Sequence, residues 1–98
     1  MTLKWTRRAL RDMQHLHDYI AEDNPAAARR MVSRIRDASR HLRRNPHIGK
    51  TGRVVETREL TIAGTSYIVV YCVEGQQVQI VAVIHGAQRW PDSFNDRD

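Results

Sequence analysis

The apolar positions of this chain change period twice along its length. Leu3 and Trp5 flank Lys4, the alternation of a short half-buried strand, brief enough to sit at a sheet edge. From Thr6 the spacing becomes three and four: Ala9, Met13, Leu16 and Ile20 form one helical stripe, with Thr6 placed to cap it. Arg7, Arg11, Gln14, His15 and Asp18 point away from that stripe. Glu22-Asp23-Asn24-Pro25 then stops one helix and starts another, because Asn24 is a good N-cap and Pro25 fits the first helical position without losing a hydrogen bond. So short a connection predicts two antiparallel helices. The second is predicted from Pro25 to about Arg44, with Ala28, Met31, Val32, Ile35, Ala38, Ser39 and Leu42 on one arc, and it ends at Asn45-Pro46 because proline disfavours the helical region for the residue before it.

From His47 to Val55, Gly49 and Gly52 stand among polar residues, and the stretch reads as an exposed loop. Beyond Glu56 the period is two. Leu60 and Ile62 share a face, and Tyr67 to Val73 and Val78 to Ile84 are rich in β-branched and aromatic residues. Ala63-Gly64-Thr65 and Glu74-Gly75-Gln76 are short enough to impose antiparallel hairpins. Tyr67 to Val73 is apolar on both faces and is expected at the centre of the sheet. The predicted fold is α+β in the order β-α-α-β-β-β, a helical hairpin on one face of a small, mainly antiparallel four-stranded sheet. A single domain spans residues 1–98, with a polar tail from about residue 91. Nothing in the pattern covers the second sheet face, which is therefore where a partner is expected.

Composition sharpens this outline. Lys+Arg number 16 against 11 Asp+Glu, and 14 of the 16 are arginine, whose planar fork pairs with carboxylates and phosphates. Such a surface suits an acidic protein or a nucleic acid, and charge alone does not choose between them. The lone Cys72 excludes a disulfide within the chain, and no apolar run is long enough for a membrane span or a signal peptide, so the expected compartment is the cytoplasm. The histidines and carboxylates have no metal-ligand spacing, and neither metal nor cofactor is expected.

Three groups of residues carry the candidate chemistry. His85, at the end of the last strand, is placed to exchange protons near neutral pH, although a catalytic role needs a second group beside it. Arg53 and Arg58 flank the first strand of the hairpins and, with Lys50 and Arg89, are candidates for a phosphate-holding patch or a docking patch. The second helix carries seven arginines between residues 29 and 44, without the aromatic residues that would stack bases. Trp90 reads either as a lid over the core or as an anchor for another protein.

Several stretches together resemble the RelE/ParE toxins of bacterial type II toxin–antitoxin pairs. They are Trp5 with the helix after it, Asp23-Asn24-Pro25-Ala26-Ala27-Ala28, Asn45-Pro46-His47-Ile48-Gly49, Thr57-Arg58-Glu59-Leu60, Tyr67-Ile68-Val69-Val70-Tyr71 and Val83-Ile84-His85-Gly86-Ala87. The resemblance covers nearly the whole chain and implies one of two activities. RelE-like members cleave messenger RNA on the ribosome, and ParE-like members poison DNA gyrase. Family ribonucleases usually place an arginine where this chain has Ile68, and basic residues on the preceding strand, which here reads Glu59-Leu60-Thr61-Ile62. The ParE-like branch is therefore favoured, with a cognate ParD-like antitoxin and DNA gyrase as partners. The implied partner contacts are Arg29, Arg36 and Arg58, with Tyr67, Tyr71, His85 and Trp90 near the docking groove. Were the chain a nuclease, His85 would act as acid or base and Arg53 or Arg58 would hold phosphate. A basic nucleic-acid-binding module without toxicity is the third possibility.

Overall fold

The computed structural model describes residues 1–94. Its elements are β1 (Thr2–Trp5), α1 (Arg7–Ala21), α2 (Pro25–His41), β2 (Lys50–Thr51), β3 (Arg58–Thr61), β4 (Tyr67–Glu74) and β5 (Gln77–His85). The sheet has five strands in the order β1-β5-β4-β3-β2, with β1 parallel to β5 and every other pair antiparallel. The helix starts follow the expected chemistry: Thr6 Oγ1 accepts from Ala9 N at 3.1 Å, and Asn24 Oδ1 accepts from Ala27 N at 3.0 Å. The second helix is shorter than its pattern implied. Leu42, Arg43 and Arg44 donate three residues back, to Ser39, Arg40 and His41, which tightens the last turn ahead of Pro46.

Both faces of β4 are buried, as its continuous apolar run requires. The helices cover Val69, Tyr71, Val78, Ile80 and Val83 with Met13, Leu16, Ile35 and Leu42. Between Val70 and Tyr71 the pairing with β5 slips by one residue, so Val81 and Ala82 both face away from the helices and alternation resumes at Val83. Where β1 stops short of this bulge, α1 finishes the edge: Thr6 Oγ1 donates to Val81 O, and an Asp12 carboxylate oxygen accepts from Val83 N at 2.9 Å.

Burial pushes the Asp12 carboxyl above its ordinary value of 3.8, although the Val83 N–H and Arg8 pull it down. A raised folded-state pKa favours the protonated form, so the group contributes stability below its unfolded value that is lost as pH rises through the folded one. Asp12→Asn keeps an oxygen for Val83 N–H and removes this dependence. The stability of the wild type relative to this variant should therefore fall as pH rises above the ordinary value of 3.8 in denaturant melts; a constant difference would count against the assignment.

The structure corrects three expectations. The sheet has a fifth strand, β2, whose two residues are too few to show a period. The stretch around it is not a simple exposed loop, since Gly49 and Val54 are both buried. The second sheet face is covered from within the chain, where Val54, Trp90 and Phe94 close over Ile68, Val70, Cys72, Val81 and Ile84. Phe94 in the expected polar tail is 7% exposed and lies 4.9 Å beneath the Arg8 guanidinium. Residues 95–98, the rest of that tail, lie outside the described residues.

Candidate functional site

The residues named as possible nuclease groups do not converge. His85 stands opposite Tyr67 on the helix-side face, their rings edge to face with centroids 5.3 Å apart. Its Nδ1 accepts from Ala87 N at 3.1 Å, which leaves the proton on Nε2 in the neutral ring. Arg58 stands opposite Tyr71, four residues along β4 and two strands across from His85, so the two backbone positions are roughly 16 Å apart. The Arg58 guanidinium is also turned towards the loop, donating from Nη1 to Gly49 O at 2.7 Å.

Arg53 lies on the other face. Its backbone N–H donates to Glu59 Oε2 at 2.8 Å and its Nε to the same oxygen at 3.2 Å. Its guanidinium covers the Trp90 ring at 3.7 Å. Glu59 is nearly fully buried, so Arg53 neutralises a carboxylate inside the fold instead of offering a free cation. Ile68, 8% exposed, also faces this second core, with Val54, Phe94 and Trp90 packed there.

Two of the candidate partner residues are placed differently from expectation. Tyr71 is fully buried, with its hydroxyl accepting from Gly49 N at 2.9 Å, and burial pushes its phenol above 10.0. A partner cannot reach it on the intact surface, so its assignment as a contact is corrected to a core role. Trp90 is half-buried beneath Arg53, the lid reading of that residue. Tyr67 and His85 remain partly accessible at one end of the sheet, and Arg29 and Arg36 are exposed on α2.

The site that sequence reading missed lies at the opposite edge of the sheet from β2. A groove of about 520 Å³ is lined by Thr2, Leu3, Trp5, Leu10, Met13, Arg36, Arg40 and Arg43. It has an apolar floor, no carboxylate among its described lining residues, and a rim made by Arg36 and Arg40 of α2 and Arg43 of the turn after it. A second hollow of about 330 Å³ shares Leu10, Met13 and Arg36 and adds Val32 and His17. Leu10 is 51% exposed, an apolar side chain left without a cover. Beside the floor runs β1, which among the described residues pairs with β5 alone and leaves its other edge of backbone donors and acceptors open. The available signal was Leu10, an apolar residue outside the Ala9-Met13-Leu16-Ile20 stripe.

The remainder of α2 is electrostatically unusual. Arg30 and Arg34, and Arg36 and Arg40, stand four apart within the helix, a spacing at which like charges each cost about 0.2–0.5 kcal/mol. Asp37, the one acid in the helix, pairs with Arg40. Arg34 donates to Ala63 O, and Arg43 Nε donates to Met1 O at 3.2 Å. Among the described residues the side chains of Arg29, Arg30, Arg36 and Arg44 have no hydrogen-bond or ion-pair partner.

A helical hairpin on a five-stranded mixed sheet, with an apolar and arginine-rimmed groove, defines a small α+β domain with an open edge strand. Residues 3–90 match the family model described as ParE toxin of type II toxin-antitoxin system, parDE, and the chain belongs to that family. It is 42% identical over 89 residues to "Putative toxin Y4kP" of Sinorhizobium fredii, covering 91% of this chain and 92% of the relative. It is 36% identical over 84 residues to toxin RelE2 of Caulobacter vibrioides, covering 86% and 93%. Its fold is similar to a chain from the chromosomal ParDE TA system of P. aeruginosa, with a TM-score of 0.78 and 28% identity over 87% of this chain and 95% of that one. The chain is thus a ParE-like toxin of a type II toxin–antitoxin system. Among the described residues no helix is long and apolar enough to cross a membrane.

Proposed function

We propose that this toxin acts in the cytoplasm by inhibiting DNA gyrase and is silenced by a ParD-like antitoxin bound in a hetero-oligomer. The observation that carries the choice of target is Ile68. The position at which the resemblance places a ribonuclease arginine holds an apolar side chain buried in the second core. A phosphodiester-cleaving site needs a cation facing the transition state, and removing one such donor costs about 3–4 kcal/mol. Arg53 is committed to Glu59, Arg58 is turned to the 47–49 loop, and neither stands beside His85. The reading is therefore of a protein-binding inhibitor without catalytic chemistry or cofactor of its own. For the antitoxin, the groove beside β1 suits an amphipathic segment with an acidic side, its apolar face on Leu3, Trp5 and Leu10 and its carboxylates against Arg36 and Arg43.

Purified toxin is expected to abolish supercoiling of relaxed plasmid by gyrase while leaving a translated message intact in primer extension. Codon-linked cleavage with normal supercoiling would replace this reading with the ribosome-dependent endonuclease, and neither effect would leave a toxin directed at some other target.

A further inference from the structure

The groove uses only one side of α2, and the outward side of the same helix presents different chemistry. Arg29, Arg30, Ser33 and Asp37 are exposed there, Arg44 follows in the turn after the helix, and Arg40 stands at the border, where it also lines the groove; the strip contains no apolar residue. Protein interfaces are organised around a desolvated centre of aromatic and aliphatic anchors, which this strip lacks. Contacts to a phosphate backbone need no such centre, because charge neutralisation with counterion release supplies the binding free energy. Base stacking, which single-stranded partners exploit, has no aromatic platform on this face.

We propose that the outward arginine face of α2, with the turn after it, binds the phosphate backbone of duplex DNA without sequence preference, on a surface that meets the β1 groove at Arg40. From Arg29 to His41 the helix extends about 18 Å, and Arg44 lies in the turn beyond it. At about 3.4 Å of duplex axis per phosphate on each strand, the helical part alone runs beside roughly five phosphates. Arg29, Arg30 and Arg44 have no partner among the described residues, and Arg40 shares its charge with Asp37 alone. Like charges are held four apart along this helix in the free protein, and an anionic strand relieves their repulsion. The sequence carries 14 arginines and a formal charge of +5, so the long-range field also draws a polyanion towards the protein. The inference is independent of the gyrase reading, since it concerns binding to DNA alone.

The test is fluorescence anisotropy of full-length toxin with two unrelated 20-base-pair duplexes across a salt series. Equal affinities for both duplexes are expected, with log K falling against log salt at a slope of roughly −3 to −4, as for three or four neutralised phosphates. The triple variant Arg29→Gln/Arg30→Gln/Arg44→Gln should weaken both duplexes at least tenfold at low salt and flatten the slope by about 3. The groove variant Arg36→Gln/Arg43→Gln should keep most duplex binding and lose affinity for the antitoxin. Circular dichroism verifies that both variants fold. Unchanged duplex affinity in the triple variant overturns the proposal, as does loss of antitoxin binding by the triple variant with duplex binding intact, which assigns the face to a protein. Cleared supercoiling inhibition with normal duplex binding would refute the gyrase reading and leave this one standing.

Discussion

Arg53→Ala should lower the stability of this toxin by about 2–3 kcal/mol, or roughly 10–20 °C in melting temperature for a domain of this size. The cause is the group left behind. Glu59 is 1% exposed in its side chain and faces the second core, where its two oxygens accept from the Arg53 side chain and one also from the Arg53 backbone. Removing the guanidinium leaves a buried carboxylate with only the backbone donor, and hydrogen bonds to a charged group are worth about 1.5–3 kcal/mol each. The full cost of a broken buried pair is not expected, because the Arg53 side chain is 46% exposed and water replaces part of its field. Its loss also uncovers the Trp90 ring. The double variant Arg53→Leu/Glu59→Leu should recover most of the stability, since no charge is then stranded. A double variant as unstable as Arg53→Ala would show that Trp90 packing, and not the buried charge, sets the cost.

The second large effect is expected at Gly49, where space and not dihedral freedom demands glycine. A Cβ there would stand 2.7 Å from the Tyr71 hydroxyl, 2.8 Å from Glu59 O and 2.9 Å from the Tyr71 ring. Tyr71 is fully buried and Glu59 O belongs to the sheet backbone, so neither neighbour yields easily. Gly49→Ala should cost about 2–3 kcal/mol, the range for overpacking a closed site. Tyr71→Phe in that background removes the closest contact and should return part of the loss, whereas alone it destabilises by leaving Gly49 N–H unpaired. Denaturant melts of the four proteins give the coupling directly. Strict additivity of the two changes would mean that the loop relaxes away from Tyr71. Gly64→Ala is the contrast: its φ is +75° in open space, so only the left-handed backbone resists the change.

How far the fold was legible depended on length and period. Both helices, the hairpins and the central strand announced themselves through Thr6, Asn24-Pro25, Gly64, Gly75 and the unbroken apolar run from Tyr67 to Val73. β2 did not, because two residues between glycines show no periodicity. The covering of the second face was hidden for a related reason. Val54, Trp90 and Phe94 are isolated apolar residues in polar stretches, and only the folded chain brings them together. At the site, arginine content raised the expectation of an anionic partner, but one helix face is indistinguishable from another in composition. The apolar floor on one side of α2 and its absence on the other emerge only when β1 and α1 are set beside it.

Which parts of the chain must meet to make the groove has a consequence for when it first exists. Leu3 and Trp5 form part of its floor, and among the described residues β1 pairs with no strand but β5; Thr6 and Val81, joined by a hydrogen bond, are 75 residues apart in sequence. While the protein is being synthesised, β1 has no strand to lie against until β5 has emerged. The helical hairpin can fold early, from local contacts, but the surface to which the proposed antitoxin segment would bind takes shape only after β5 has been made. On that docking mode, a nascent toxin is not a ligand for its antidote until β5 has emerged.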